Sequence, residues 1–94
     1  METLDDEQIE AHLSGLSGWV REGESIVRES KLADFAAAIR LVDSVAALAE
    51  AANHHPDILV HGWNHVRLTL STHSAGRLTP ADFRLAQQID ALLR

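Results

Sequence analysis

Cysteine is absent from this chain, which excludes disulfide bonds and thiolate metal ligands. No apolar run approaches the roughly 20 residues of a membrane span. The polar, acidic start METLDDEQIE is unlike a signal peptide. Basic residues are few, 8 against 14 acidic ones, and the net charge of -6 argues against nucleic-acid phosphate as a partner. We therefore expect a cytoplasmic protein that binds neither membranes nor nucleic acid.

The length of 94 residues predicts one small domain that spans residues 1–94. Apolar residues make up 46% of the sequence, which is enough for a core of limited size. A homo-oligomer would bury more apolar surface than a single chain can. We therefore expect a dimer or a tetramer.

Three helices are predicted from caps and from apolar residues at helical spacing. Asp5 and Gln8 have the spacing of a capping box, which opens a short helix from about Asp6 to Leu13. The run Thr79–Asp82, with proline at its second position, predicts the start of the third helix. The longest helix is predicted over Leu32–Ala52, where two apolar rows should both face a sheet. These rows are Phe35, Ile39, Val42, Ala46 and Ala49, with Leu41, Val45, Leu48 and Ala52 beside them.

Four strands are predicted from residues that alternate with a period of two. In the clearest strand, Val66, Leu68 and Leu70 should face the core. The resulting order is α-β-β-α-β-β-α. Two hairpins separated by a long helix predict an α+β fold, with a four-stranded antiparallel sheet and the helices packed on one face. The predicted strands are Trp19–Arg21, Ser25–Lys31, Ile58–His61 and His65–Thr72.

Histidines concentrate in one stretch of the chain, residues 50–73. Asn53 ends the long predicted helix, so His54 and His55 follow it at a sharp corner before Pro56. His73 comes just after the clearest strand. If that strand end lies near the corner, three imidazoles converge with the carboxylate of Glu50. Imidazole titrates near neutral pH, so such a cluster suits general acid–base catalysis.

Other interpretations of the same residues stay open. The His54-His55 pair is also compatible with a solvated turn, Asp82 with a simple helix cap, and Trp63 with a core or interface aromatic. A metal site is a further alternative, because histidines and carboxylates are close in sequence. However, no HExxH pair is present, and a ligand set without thiolate would have to be assembled across the fold.

The full spacing resembles the signature of the pterin-4a-carbinolamine dehydratases. It runs Glu50, three residues, His54-His55-Pro56, six residues, Trp63, nine residues, His73, eight residues, Asp82. The likeness extends over nearly the whole chain, and the family's α-β-β-α-β-β-α fold matches the order of elements derived above. Further matching segments are Gly18-Trp19, Asp34-Phe35, Leu70-Ser71-Thr72-His73 and Ala75-Gly76.

The resemblance implies a reaction in tetrahydrobiopterin recycling. The family removes water from 4a-hydroxytetrahydropterin, which an aromatic amino-acid hydroxylase leaves behind, and produces quinonoid dihydropterin. It implies a pterin substrate, a functional link to such a hydroxylase, and no metal or redox cofactor.

The resemblance also implies a role for each matched residue. His54 and His73 are expected to protonate the 4a-hydroxyl from either face of the ring, and His55 to position the pterin or accept a proton. Trp63 is expected to support the pocket. The residues expected to orient the imidazoles or bind the polar edge of the ring are Glu50, Asn53, Ser71, Thr72 and Asp82.

A protein-interaction module is the alternative function. Some relatives also act as dimerisation cofactors for a transcription factor, through a helix surface. That role would require an exposed apolar patch on a helix. The chain retains all three motif histidines, which binding alone would not need, and this favours the enzyme.

Overall fold

The computed structural model describes residues 2–93, which form three α-helices and one four-stranded antiparallel sheet. This architecture confirms the predicted α+β fold and its order of elements. None of the helices within these residues has the length and apolar content that crossing a membrane requires. In chain order the elements are α1 (Asp6–Leu13), β1 (Trp19–Glu22), β2 (Ser25–Lys31), α2 (Phe35–Ala52), β3 (Asp57–His61), β4 (His65–Leu70), a 3-10 turn (His73–Ala75) and α3 (Pro80–Leu92).

The caps of the helices form as their sequences predict. At α1, the Asp5 carboxylate accepts a hydrogen bond from the Gln8 amide at 2.8 Å, and the Gln8 side chain accepts one from the Asp5 amide at 2.9 Å. At α3, the Asp82 carboxylate accepts a hydrogen bond from the Thr79 amide at 3.0 Å. These bonds satisfy amides that a helix start leaves without partners inside the helix.

Two boundaries differ from the prediction. The helix α2 begins at Phe35 rather than Leu32, because Asp34 caps it and the Leu32 amide donates instead to the Asn64 carbonyl at 2.8 Å. The strand β4 ends at Leu70, and Thr72 beyond it forms an isolated bridge with another segment. Local hydrogen bonds therefore decide where the periodic patterns stop.

The sheet has the order β1-β2-β4-β3, so β2 and β4 are its central strands. Register pairs Ile26 with Leu70, Arg28 with Leu68, and Ile58 with Leu68. The predicted core row of β4, Val66, Leu68 and Leu70, is fully buried. Only the two edge strands keep an unpaired side, and the core lies between the sheet and the helices.

The helix α2 buries only part of the two apolar rows that its sequence contains. Leu41, Val45 and Ala49 are buried, whereas Phe35 is 54% and Ile39 is 37% exposed. The prediction that both rows face the sheet is therefore wrong for the single chain. A helix on a flat sheet presents one stripe to it, and the start of the other row stays at the surface.

The second half of α3 is anchored to the sheet by a buried carboxylate. Asp90 accepts hydrogen bonds from the Trp19 indole Nε1 at 2.8 Å and from the Ser17 amide at 3.0 Å. It also forms an ion pair of 2.9 Å with Arg28. The side chains of Asp90 and Arg28 are both largely buried, so each charge depends on the other for a partner.

Replacing Asp90 by alanine should lower the free energy of unfolding by about 3 kcal/mol, because it leaves the Arg28 charge without its partner. Urea unfolding of the purified variant measures this loss. Glu22→Ala is the matched control, since its ion pair with Arg67 lies at the surface and should contribute less than about 1 kcal/mol. Equal losses in the two variants would contradict the anchoring role of Asp90.

Candidate active site

The C-terminus of α2 fixes the backbone of His54. Asn53 adopts the left-handed conformation, with φ 50° and ψ 44°. Its amide donates to the Glu50 carbonyl at 3.2 Å, and the His54 amide donates to the Ala49 carbonyl at 3.1 Å. This pair of bonds is the Schellman arrangement that ends many helices, and asparagine tolerates its left-handed residue better than most side chains do. Pro56 then prevents the helix from continuing.

The imidazole of His54 contacts a carboxylate from another helix. Its Nε2 lies 2.5 Å from Oδ1 of Asp82, in the first turn of α3. The Asp82 side chain is completely buried, and that of His54 is only 14% exposed. The contact joins the end of α2 to the start of α3 across 28 residues of sequence.

The other oxygen of Asp82 is held by two threonines. Its Oδ2 accepts hydrogen bonds from the Thr72 hydroxyl at 2.7 Å and from the Thr79 amide at 3.0 Å. The two threonine hydroxyls are 2.8 Å apart. Since the single hydroxyl proton of Thr72 goes to Asp82, the Thr79 hydroxyl must donate to Thr72. This directional network suits an ionised Asp82, because an ionised carboxylate only accepts hydrogen bonds.

This network determines which nitrogen of His54 is available to a ligand. An ionised Asp82 requires a proton on Nε2 of His54, so Nδ1 is the atom left to give or take a proton. A carboxylate behind an imidazole fixes both its tautomer and its orientation. Asp82 is completely buried, so it can influence a ligand only through the residues that it contacts.

His55 forms a second imidazole–carboxylate pair at the same corner. Its Nε2 is hydrogen bonded to the Glu50 carboxylate, one turn back on α2. Both side chains are more than half exposed, in contrast to the pair of His54 and Asp82. Water competes for such a pair, so it holds its geometry less firmly than the buried one.

His73 is exposed and borders a depression of about 290 Å³. The walls of this depression come from Glu24, Ser25, Ser71, Thr72, His73 and Gly76. His54 and His55 lie outside these walls in the described part of the chain. The register of Asp57 with Thr69 nevertheless places all three histidines at the same end of the β3–β4 hairpin. Thr72, in the wall, connects the depression to His54 through Asp82.

Trp63 does not join this group within one chain. It lies in the turn between β3 and β4, with φ 58° and 63% of its surface exposed. The hairpin runs from the pair of Asp57 and Thr69 to the pair of His61 and His65, a span of about 13 Å at the usual rise per residue. Within one chain a full strand separates Trp63 from the histidines, and its expected role in supporting the pocket stays a prediction.

Two features of the site were missed by the sequence interpretation. Thr79 was expected only to cap α3, yet its hydroxyl is part of the Asp82 network. The sequence interpretation assigned no role to Glu24 or Ser25, yet both border the depression beside His73. Pairing of Ile26 with Leu70 brings Glu24 and Ser25 close to His73. The sequence alone does not show that these two strands pair.

Within residues 2–93, no three histidine, aspartate or glutamate side chains are grouped so that they could hold a metal ion. The described residues therefore give no support to the metal-binding alternative.

Comparison with known families identifies the chain. The sequence profile of the family described as "Pterin 4 alpha carbinolamine dehydratase" matches residues 2–92. The chain belongs to this family. A relative from Nocardia farcinica, provisionally named a pterin-4-alpha-carbinolamine dehydratase, is 54% identical over 99% of this chain and 97% of its own length. A relative from Roseiflexus castenholzii with the same provisional name is 51% identical over 96% of each chain.

Solved structures agree with the family and extend the range of functions on this fold. A transcriptional coactivator/pterin dehydratase from Brucella melitensis superposes with a TM-score of 0.91 at 31% identity, over 97% of this chain and 98% of that one. A pterin dehydratase-like protein, identified as a RuBisCO assembly factor in the alpha-carboxysome, has a TM-score of 0.67 at 27% identity. That match covers 80% of this chain and 88% of the other.

The left-handed backbone of Asn53 gives a direct test of how the corner is built. Asn53→Gly should keep the free energy of unfolding close to that of the wild type, because glycine adopts this conformation without a steric penalty. Asn53→Val should lose about 1–2 kcal/mol, because its side chain clashes there. Urea unfolding compares the two variants, and equal stability would contradict the structural requirement at this position.

Proposed function

We propose that the chain is a dehydratase that converts 4a-hydroxytetrahydropterin into quinonoid dihydropterin and water. The contact between His54 and the buried Asp82 carries the proposal, because it supplies an oriented imidazole in a member of this family. A cytoplasmic location and an aromatic amino-acid hydroxylase that provides the substrate are parts of the same proposal.

The reaction needs an acid and a base but no electron transfer. The bond from C4a to the hydroxyl oxygen breaks, the hydroxyl leaves as water with an added proton, and N5 loses its proton as the C4a–N5 double bond forms. In its protonated form, His54 donates the proton on Nδ1 to the departing hydroxyl. Asp82 stays ionised behind it and steadies the ring throughout.

The remaining histidines have separate tasks in this proposal. His73, beside the depression, protonates the hydroxyl of the opposite stereoisomer from the other face of the ring. His55, paired with Glu50, positions the pterin or accepts the N5 proton. Ser71 borders the depression and offers a hydroxyl to the polar edge of the ring. Asn53 contributes by holding the corner from which both His54 and His55 extend.

The assignment of one acid to each face predicts opposite stereochemical defects. His54→Ala should slow turnover of one 4a-hydroxy isomer by about 10²–10⁴-fold and spare the other, and His73→Ala should do the reverse. The losses should appear in kcat, since protonation of the leaving group matters most in the transition state. His55→Ala should affect both isomers alike.

Kinetics with each separate isomer measure these effects, and circular dichroism of each variant controls for folding. Equal impairment of both isomers by His54→Ala and by His73→Ala would contradict the two-face assignment. Full activity in the variant that combines His54→Ala with His73→Ala would refute the histidine mechanism altogether.

We also propose that the chain forms a homo-oligomer, a dimer or a tetramer, through the exposed row of α2. Phe35 and Ile39 lie one turn apart on this helix and are both exposed. Burying apolar side chains of this size against another subunit removes them from water and favours association. A second copy of the same helix provides a complementary apolar surface.

The wild-type protein should therefore have a mass of two or four times 10.3 kDa by light scattering at micromolar concentrations. Phe35→Ser combined with Ile39→Ser should shift the mass toward the monomer. Val20→Ser is the matched control, because Val20 is an equally exposed apolar side chain on β1 and not on α2. A wild-type mass of one chain would contradict the proposal.

The same row of α2 supports the second candidate function, a protein-interaction module. Phe35 and Ile39 provide the exposed apolar patch on a helix that such a role requires. Structural relatives include a protein described as a transcriptional coactivator and one described as an assembly factor. A monomeric mass by light scattering would leave this row exposed in solution and would favour the interaction role.

A further inference from the structure

We propose that Glu24 is a specificity residue that recognises the amino-pyrimidinone edge of the pterin. Its carboxylate would accept hydrogen bonds from N3–H and from the 2-amino group of the ring. This inference rests on the proposed dehydratase function. It differs from the sequence-based expectation, which gave Glu50 a role at the polar edge and gave Glu24 none.

Glu24 reaches the site through the register of the sheet. Ile26 pairs with Leu70 in the antiparallel arrangement of β2 and β4. The residues just before Ile26 therefore lie beside those just after Leu70, since antiparallel neighbours run in opposite directions. This explains why Glu24 and Ser25 border the same depression as His73.

Two arginines form ion pairs with the Glu24 carboxylate. Arg21 lies 3.1 Å from one carboxylate oxygen, and Arg77 lies 3.3 Å from the other. Hydrogen bonds to Asp6 and then to Glu24 raise the pKa of Arg21, so its guanidinium stays charged. A carboxylate has about four lone-pair sites, so these two contacts leave acceptor capacity for a ligand. The Glu24 side chain is 46% exposed and is therefore accessible from the depression.

The chemistry of the depression matches the proposed ring. An amino-pyrimidinone presents two parallel N–H donors on neighbouring atoms, which one carboxylate can accept together as it accepts the fork of an arginine. The volume of about 290 Å³ is close to the lower bound of about 300 Å³ for small-molecule sites. His73 borders the same depression. With the amino-pyrimidinone edge at Glu24, His73 is available to the 4a-hydroxyl on the other side of the ring.

Glu50 is the competing carboxylate, and its surroundings argue against the same task. It is hydrogen bonded to His55 and 76% exposed at the end of α2. It does not belong to the walls of the depression that His73 borders. Glu24 is thus the carboxylate placed to face a ring bound beside His73.

Binding of two unreactive ligands tests this inference. The probes are 7,8-dihydropterin, with a 2-amino group, and 7,8-dihydrolumazine, with a 2-oxo group. Titration calorimetry should show that the wild type prefers the amino ligand by about 10-fold or more, the size expected for hydrogen bonds to a charged group. Glu24→Gln should lose or reverse this preference, because an amide can donate to the 2-oxo group. Glu24→Asp should keep part of it.

Glu22→Gln is the matched control. Glu22 lies in the same hairpin but pairs with Arg67 and does not belong to the walls of the depression, so its variant should keep the wild-type preference. If Glu24→Gln also keeps the full preference, the inference is overturned and the dehydratase proposal stands. If the wild type binds neither ligand, the pterin proposal fails and this inference fails with it.

Discussion

The rest of the site depends on the hydrogen bonds to the buried carboxylate of Asp82. A charge without exposure to water is costly unless donors surround it, and here they come from three segments of the chain. His54 extends from the end of α2, Thr72 follows β4, and Thr79 begins α3. Satisfying one carboxylate therefore fixes the relative position of two helices and a strand end, and the same bonds orient the imidazole of His54.

The two imidazole–carboxylate pairs at this corner differ in exposure, and the difference fits different tasks. The pair of His54 and Asp82 is shielded from water, so its geometry is held before any ligand arrives. The pair of His55 and Glu50 is exposed to water, so its geometry can change more easily. An enzyme gains from a rigid group at the reacting atom, because the transition state then requires little reorganisation. A more mobile neighbour can still guide binding.

Local signals in the sequence were sufficient to predict the helices and strands. Contacts between segments that are distant in the sequence could not be predicted from it. The capping boxes at Asp5 and Thr79 and the alternation in β4 depend on neighbouring residues, and the fold follows from them. The role of Thr79, the position of Trp63 and the exposure of Phe35 depend on which strands pair and which helix face meets the sheet. The spacing that resembles the family indicated the histidines, but it could not show that Asp82 is buried in contact with His54, Thr72 and Thr79.

We propose that this chain catalyses dehydration through its own side chains. The direct test follows freshly generated 4a-hydroxytetrahydropterin by absorbance, with and without the protein, in the presence of a strong chelator. We expect the protein to accelerate the loss of water well above the spontaneous rate, with no effect of the chelator. A rate equal to the spontaneous one would contradict the claim, and an acceleration that the chelator abolishes would replace it with metal-dependent catalysis.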